Sequence, residues 1–530
     1  MMAGSLDLKR VLLCDNVDSC CKDILEANGI AVDVKNKLTK EELLAEITNY
    51  DGIVVRSATK VTEDVIRAGK KLKIIGRAGT GVDNIDIPSA SLNGVLVMNT
   101  PGGNTLSAAE QTCTLICCLS RHIAQAAASM KEGKWDRKKF MGNELFDKTL
   151  GIIGLGRIGR EVALRMQSFG MKTIGYDPLV SAADAAEFNT EWMEPDQIWP
   201  KADYITVHVP LIPPTTGMLN DKTISMCKKG VYLLNVARGG IIDEEALLRG
   251  LESGHVGGAG LDVFVTEPPT GASAQLVQHP KVVACPHLGA NTVEAQKRVA
   301  KEMAEQFVDA AKGKSTFGLV NVPFDLCEAL KPSSLVSLGQ TIGKVAVNLA
   351  GGKVTKVTVS TVGSEMKAHR YLTAAVCIGI LSKPEVNLVN AAALVKAAGI
   401  EVRSSHTAQS NPHYPKTLSV MVQHSAGEVT LLASMIGQNT PALIQYGKHC
   451  FSSPVPLSDH LLVFKSKLDP VEVLSKLLPV LQSSGCKVKG FFTAAGSGTD
   501  ECIGVVSTSS AVGLDKDLGE NVIVYPQLSF

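Results

Sequence analysis

Three side chains with complementary chemistry stand close together in sequence near the middle of the chain. Arg238 lies in "NVARGGIIDE", Glu267 in "LDVFVTEPP" and His287 in "CPHLGA". An imidazole held by a carboxylate is an acid/base pair, because the carboxylate orients the ring and favours the imidazolium. A guanidinium can grip a carboxylate with two parallel hydrogen bonds. Oxidation of a 2-hydroxy acid requires these two parts and a hydride acceptor. Taken singly, each residue also has an ordinary reading: Arg238 as a surface arginine after a strand, His287 as a packing or surface histidine. Spacing alone does not bring them together.

The hydride acceptor has its own signature. Gly154-Leu155-Gly156-Arg157-Ile158-Gly159 matches GxGxxG, preceded by the strand-like "TLGII" and followed by an apolar stripe of Ile158, Val162, Met166 and Phe169. The first glycine permits the tight turn, the second admits a pyrophosphate to the backbone, and the third lets helix and strand approach. Asp177 ends the next strand, 18 residues after Gly159. A carboxylate there accepts ribose hydroxyls and repels a 2′-phosphate, so the cofactor expected is NAD rather than NADP.

The elements that must position these groups read as two series of alternating strands and helices. The first has strands at Val11–Cys14, Ala31–Val34, Gly52–Val55, Leu72–Ile75 and Val95–Met98, with a capping box at Thr39 and Glu42. A helix is expected from about Leu106 to Lys131. The second series has strands at Thr149–Ile153, Lys172–Tyr176, Tyr204–Val207, Val231–Asn235, Gly260–Val263 and Val282–Ala284, and a helix follows from Val293 to Ala311. Six such strands fit a doubly wound dinucleotide domain. The late glycine turn and the two flanking helices predict a discontinuous chain: a first domain over 7–100 and 290–320, with the dinucleotide domain of 101–289 inserted. "LKPSSL" at 330–335 and "SSPVP" at 452–456 read as linkers, and "HTAQSNPHYP" at 406–415 as a loop. They delimit an intervening α+β domain (336–452) and a terminal domain (457–530) whose strands and helix run in βαββ order.

Composition narrows the function classes. The 530 residues hold 53 basic and 52 acidic side chains, a net charge of +1 that leaves no footprint for nucleic acid or an acidic membrane. No apolar run is long enough to span a bilayer, and no signal-peptide core follows the N-terminus. The 13 cysteines are scattered without zinc spacing, which fits reduced thiols of the cytosol and no metal site.

The motifs "VVRSATKV" (54–61), "GRAGTGVDNID" (76–86), "VMNTPGGNTLSAAE" (97–110) and "LGIIGLGRIGREVA" (150–163), together with the three quoted first, resemble the D-isomer-specific 2-hydroxyacid dehydrogenases over about residues 7–320. The later domains resemble the C-terminal extension found in part of that family, the last being ACT-like. The resemblance implies an α/β fold in which a Rossmann domain is inserted in a flavodoxin-like substrate domain. It also implies His287 as proton donor and acceptor, Glu267 as its partner and Arg238 as substrate anchor. Cofactor contacts are implied for Thr80, Gly154, Gly156, Arg157, Ile158, Gly159, Asp177, Val209, Val236, Ala237, Arg238, Asp262, His287, Leu288, Gly289 and Ala290. Val209 stands where relatives usually carry Thr, which removes a hydroxyl contact. Arg56, Arg77 and Asn104 would face the substrate; the run Arg137-Lys138-Lys139 reads either as a solvated loop or as help for a phosphate from a neighbouring subunit of a dimer or tetramer. The implied reaction is NAD-dependent oxidation of 3-phospho-D-glycerate to 3-phosphooxypyruvate, opening serine synthesis. Side activity on 2-oxoglutarate or oxaloacetate stays open. The alternatives are an NAD(H)-sensing, corepressor-like binding protein and, within the enzymes, reduction of glyoxylate or hydroxypyruvate.

Overall fold

The computed structural model describes residues 6–329, 331, 335–363, 366, 370–408, 414–425, 427–437, 440–496, 501–511 and 522–529. Three sheets organise them. The first is wholly parallel and built from β1 (Arg10–Leu13), β2 (Ala31–Val34), β3 (Gly52–Val55), β4 (Ile74–Arg77) and β5 (Leu96–Asn99), in the order β2-β1-β3-β4-β5. This is the flavodoxin-like order. Strands β3 and β4 are apolar runs that bury both faces, as parallel strands between helices must. The capping box forms, with Thr39 Oγ1 accepting from the Glu42 amide and Glu42 Oε2 accepting from the Thr39 amide.

The second sheet is also parallel. It holds β6 (Thr149–Ile153), β7 (Lys172–Tyr176), β8 (Glu191–Trp192), β9 (Tyr204–Val207), β10 (Val231–Asn235), β11 (Val256–Leu261) and β12 (Val282–Ala284), in the order β12-β11-β10-β9-β6-β7-β8. Winding outward on both sides of β6 is the Rossmann arrangement. It has seven strands rather than the six expected, because two-residue β8 is too short to show a pattern. Strand β11 begins four residues earlier than its apolar run suggests. Its glycines carry no strand signal, yet a Cβ on Gly260 would lie 3.2 Å from Leu115 Cβ, so the small residue lets the helix Thr105–Arg121 pack on the sheet.

The helix expected over 106–131 is two helices, Thr105–Arg121 and Ile123–Lys131. His122 breaks it with a left-handed backbone, φ 52°. Phe169, placed on the apolar stripe, falls beyond the helix Arg157–Gln167 and is half-exposed. The helix Val293–Ala311 has its expected bounds and packs back on the first sheet, where a Cβ on Gly76 would meet Met303 and Phe307 within 3 Å. The backbone then adds an antiparallel bridge from Leu319 to Met98 in β5. The chain therefore leaves the first sheet, builds the second and returns.

Among the described residues, the remaining strands form one eleven-stranded mixed sheet rather than two separate ones. "SSPVP" is not a linker: it ends the strand His449–Pro456, which pairs with Val488–Gly496 and joins the intervening and terminal modules. Proline is tolerated there because pairing on that flank is short. The terminal module keeps its βαββ order and adds the strand Val522–Val524. The linker expected at 330–335 lies mostly outside the described residues, as do 409–413 of the expected loop, whose start continues the strand Glu401–Thr407. Asn390 Nδ2 donates to the Leu92 carbonyl at 3.5 Å, seating the intervening module on the first domain. No described helix is long and apolar enough to cross a membrane.

Candidate active site

Every predicted site residue lies at the carboxyl end of a strand or within about six residues after it. In open α/β sheets the loops there form the ligand crevice. Arg56 follows β3, Arg77 closes β4, Gly154 follows β6, Asp177 follows β7, Val209 follows β9, Arg238 follows β10, Asp262 follows β11 and His287 follows β12. Asn104 caps the helix Thr105–Arg121 and its Oδ1 accepts from Thr80 Oγ1 at 2.6 Å, which ties the two first-domain motifs together.

The glycine turn fits a dinucleotide pyrophosphate. Gly154 has φ 98°, and a Cβ there would lie 2.4 Å from the His208 carbonyl. Gly156 faces open space, with nothing within 4 Å of a would-be Cβ, so an anion can reach the backbone. A Cβ on Gly159 would lie 1.9 Å from the Gly154 carbonyl. Gly156 precedes the helix Arg157–Gln167 with no side-chain cap, leaving its first amides directed at an anion. Arg157 and Ile158 open that helix, Arg157 exposed and bonded to the Pro101 carbonyl. Asp177 accepts from the Leu155 amide at 3.0 Å and from the Leu179 amide at 2.8 Å, which fixes its carboxylate beside the turn. Val209 packs against the same glycine, its Cγ1 3.0 Å from the Gly154 Cβ position. Its neighbour His208 is held neutral by burial, its pKa pushed down to about 4, and its Nε2 lies 3.0 Å from Thr206 Oγ1.

Glu267 and His287 meet. His287 Nδ1 lies 2.9 Å from Glu267 Oε2, both side chains half-exposed, and the contact leaves Nε2 uncommitted to Glu267. Glu267 Oε1 accepts from the Phe264 amide at 3.1 Å, so the carboxylate is itself held. His287 adopts φ 55°, a left-handed turn uncommon for a side-chain-bearing residue, and its amide donates to the Asp262 carbonyl. Asp262 lies beneath this turn. It is fully buried, with Oδ1 and Oδ2 each accepting at 2.7 Å from the amides of Leu288 and Gly289. Burial raises its pKa, and those amides partly offset the shift. Its carboxylate is therefore a positioning group that shapes the turn carrying His287. Ser107 Oγ closes the same turn on the Gly289 carbonyl, and Gln296 Nε2 closes it on that of Ala290.

The cationic side is a cluster. Arg77 has its pKa lowered to about 10, first by burial and then by the charges of Arg56 and Arg238. Burial likewise lowers that of Arg56, against the pull of Asp15. Among the described residues, the buried Nε atoms of Arg56 and Arg77 have no hydrogen-bond partner. The Arg77 guanidinium, repelled by two others, with unmet donors on it and on Arg56, has the chemistry to receive an anion. Sequence reasoning missed the residues that hold them. Asp15 accepts from the Arg56 and Thr59 amides, and Asn84 donates to the Arg56 carbonyl. Buried Asn235 accepts from the Ala237 amide and donates to the Arg238 carbonyl, which fixes the turn Val236–Arg238. Their only signal was position: Asn84 and Asn235 stand inside quoted motifs, whereas Asp15 stands in none. Arg137, Lys138 and Lys139 form an exposed 3₁₀ turn.

Asp177→Ala is expected to raise KM for NAD about tenfold, the worth of a charge-assisted hydrogen-bond pair, with kcat little changed. Steady-state kinetics with NAD and NADP check this. An unaltered preference for NAD would remove the residue from cofactor choice.

Comparison with known proteins agrees with the geometry. Residues 113–289 match the family model of the D-isomer specific 2-hydroxyacid dehydrogenase NAD binding domain, and 330–446 match that of the D-3-phosphoglycerate dehydrogenase intervening domain. The chain is 48% identical over 497 residues to D-3-phosphoglycerate dehydrogenase of Homo sapiens, spanning 92% of this chain and 93% of that one. It is 42% identical over 436 residues to that of Bacillus subtilis, spanning 81% of each. Among solved structures, a D-lactate dehydrogenase from Aquifex aeolicus complexed with NAD and lactic acid matches at 28% identity and TM-score 0.53, covering 59% of this chain and 99% of its own. The cofactor is NAD. With the glycine turn, the acid/base dyad and two domain models in one chain, the protein belongs to the NAD-dependent D-isomer-specific 2-hydroxyacid dehydrogenases and, within them, to the D-3-phosphoglycerate dehydrogenase family.

Proposed function

We propose that the protein oxidises 3-phospho-D-glycerate to 3-phosphooxypyruvate, the reaction that opens serine synthesis. The observation that carries this reading is the His287–Glu267 pair, 2.9 Å apart, beside a turn that presents Arg238 to two more guanidiniums. NAD, when bound, accepts the hydride from C2. His287 Nε2 takes the hydroxyl proton while Nδ1 stays on Glu267, so the positive charge formed on the ring is met at once. Arg238 holds the C1 carboxylate and fixes which face of C2 is presented. Arg56 and Arg77 draw in the phosphate, and closure of the two domains excludes water. The same three cations accommodate other 2-hydroxy acids with a second anionic end, including 2-hydroxyglutarate and malate.

Purified full-length protein with NAD and 3-phosphoglycerate should form NADH. kcat/KM should exceed that for unphosphorylated D-glycerate by about 10²-fold, because a site of paired cations rejects a substrate that leaves them unmatched. No turnover together with tight NADH binding would favour a nucleotide-sensing protein instead.

The assembly is a homo-oligomer in this reading. The helix Ile123–Lys131 buries none of its residues, and Trp135, Met141 and Phe146 are 74%, 81% and 72% exposed around it. Apolar surface of that extent marks a contact face. Arg137–Lys139 share the segment, which puts them within a partner's reach. A monomer by light scattering at micromolar concentration would reject this assembly.

A further inference from the structure

Arg238 makes a contact that gripping a carboxylate does not require. Its Nε donates at 2.9 Å to Oδ2 of Asp83, 155 residues earlier, on the loop that follows β4 in the other parallel domain. Gly81 clears the path, since a Cβ there would lie 1.7 Å from Arg238 Nη2. On its own side Nη1 donates to the Ala237 carbonyl at 2.6 Å. The two bonds fix the guanidinium plane from opposite domains and leave N–H groups on both Nη atoms for a ligand. The Asp83 side chain is 70% exposed, and an ion pair that open contributes little to folding.

We infer that Asp83 is a positioning residue, holding the Arg238 guanidinium across the cleft so that its Nη edge meets the substrate carboxylate. The inference rests on the oxidation proposed above. It makes the grip on the carboxylate conditional on the two domains standing together: where the loop of 79–84 withdraws, Arg238 loses its Nε partner and its fixed plane. Substrate binding and cleft closure then favour each other through one side chain.

The test compares Asp83→Asn and Asp83→Glu with the unaltered full-length chain. Four readouts are taken: KM and kcat for 3-phosphoglycerate, its calorimetric Kd on the NADH-loaded protein, the Kd of NADH, and the melting temperature. Asp83→Asn should raise KM and the 3-phosphoglycerate Kd about tenfold or more, with a smaller loss in kcat, while NADH binding and melting stay as they were. Asp83→Glu should recover part of the loss. In an Arg238→Ala background, Asp83→Asn should have no further effect on that Kd. Unchanged KM and Kd in Asp83→Asn would overturn the inference, and so would an equal loss with Arg238 absent. Lowered melting and weakened NADH binding that Glu does not restore would mark Asp83 as structural and overturn it too. If the unaltered protein binds 3-phosphoglycerate without turning it over, the proposed oxidation fails while the Kd comparison still decides Asp83. If it binds none, both fail.

Discussion

Replacing His287 with Asn is expected to lower kcat for NAD-dependent oxidation by on the order of 10³-fold while leaving the Kd of NADH within about threefold. The choice of Asn follows from the backbone. His287 sits at φ 55°, a conformation Asn tolerates better than most residues, so the variant tests the ring rather than the turn. Asn can hydrogen-bond to the substrate hydroxyl but cannot take its proton, so positioning survives and acid/base chemistry does not. The turn is independently held by the Asp262 carboxylate, through the amides of Leu288 and Gly289, and that support remains in the variant. Glu267→Gln should give a smaller loss, about 10²-fold, because an amide at 2.9 Å from Nδ1 still orients the ring but no longer meets its positive charge. Pre-steady-state measurement of NADH formation separates the chemical step from product release. A loss under tenfold in His287→Asn would show that another group carries the proton.

Arg238→Ala should be the second large effect, a fall in kcat/KM on the order of 10²–10³-fold. That fold-change is roughly 3–4 kcal/mol, the lower part of what is lost when one partner of a desolvated charge pair is removed. The loss should fall on KM and kcat together, because the guanidinium both binds the carboxylate and aligns C2. Arg238→Lys should recover little. Lysine keeps the charge but loses the planar fork, and it cannot reach Asp83 and the Ala237 carbonyl while also gripping a carboxylate. The variant should also ease the repulsion on Arg77, since the Arg238 charge helps depress that group. Free Arg238→Ala protein should therefore not be less stable than the parent, whereas its stabilisation by added 3-phosphoglycerate should shrink. Kinetics with a ligand-dependent melting series reads both. Undiminished stabilisation would place the carboxylate elsewhere.

How much of this was legible in the sequence depended on whether the signal was local. Gly154, Gly156 and Gly159 announced the cofactor turn because each meets a need of its own few residues: a positive φ, an open approach, a close helix crossing. Strands such as Gly52–Val55, Thr149–Ile153 and Val231–Asn235 were readable to the residue, since an apolar run bounded by polar turns is the pattern of a buried parallel strand. The break at His122 was not, because a single left-handed residue interrupts a helix without disturbing its apolar period. Nor was the short strand Glu191–Trp192, whose partner Ile174–Gly175 lies across an intervening helix, nor the strand character of "SSPVP", whose prolines hide a pairing of Val455 and Pro456 with Leu443 and Ala442.

The sequence by itself determined the two βα series, the glycine turn with Asp177, and the identity of the groups able to handle hydride, proton and carboxylate. Only the tertiary structure decided that those groups converge. Packing between the two parallel sheets brings the cations after β3, β4 and β10 together, puts Glu267 against His287, sets the Asp262 carboxylate under the turn that carries His287, and places Asp83 across from Arg238. The reason is physical. Periodicity and turn chemistry are properties of neighbours along the chain. The distance between side chains 155 residues apart is set by how the sheets wind and how the domains face each other, and no local pattern encodes it.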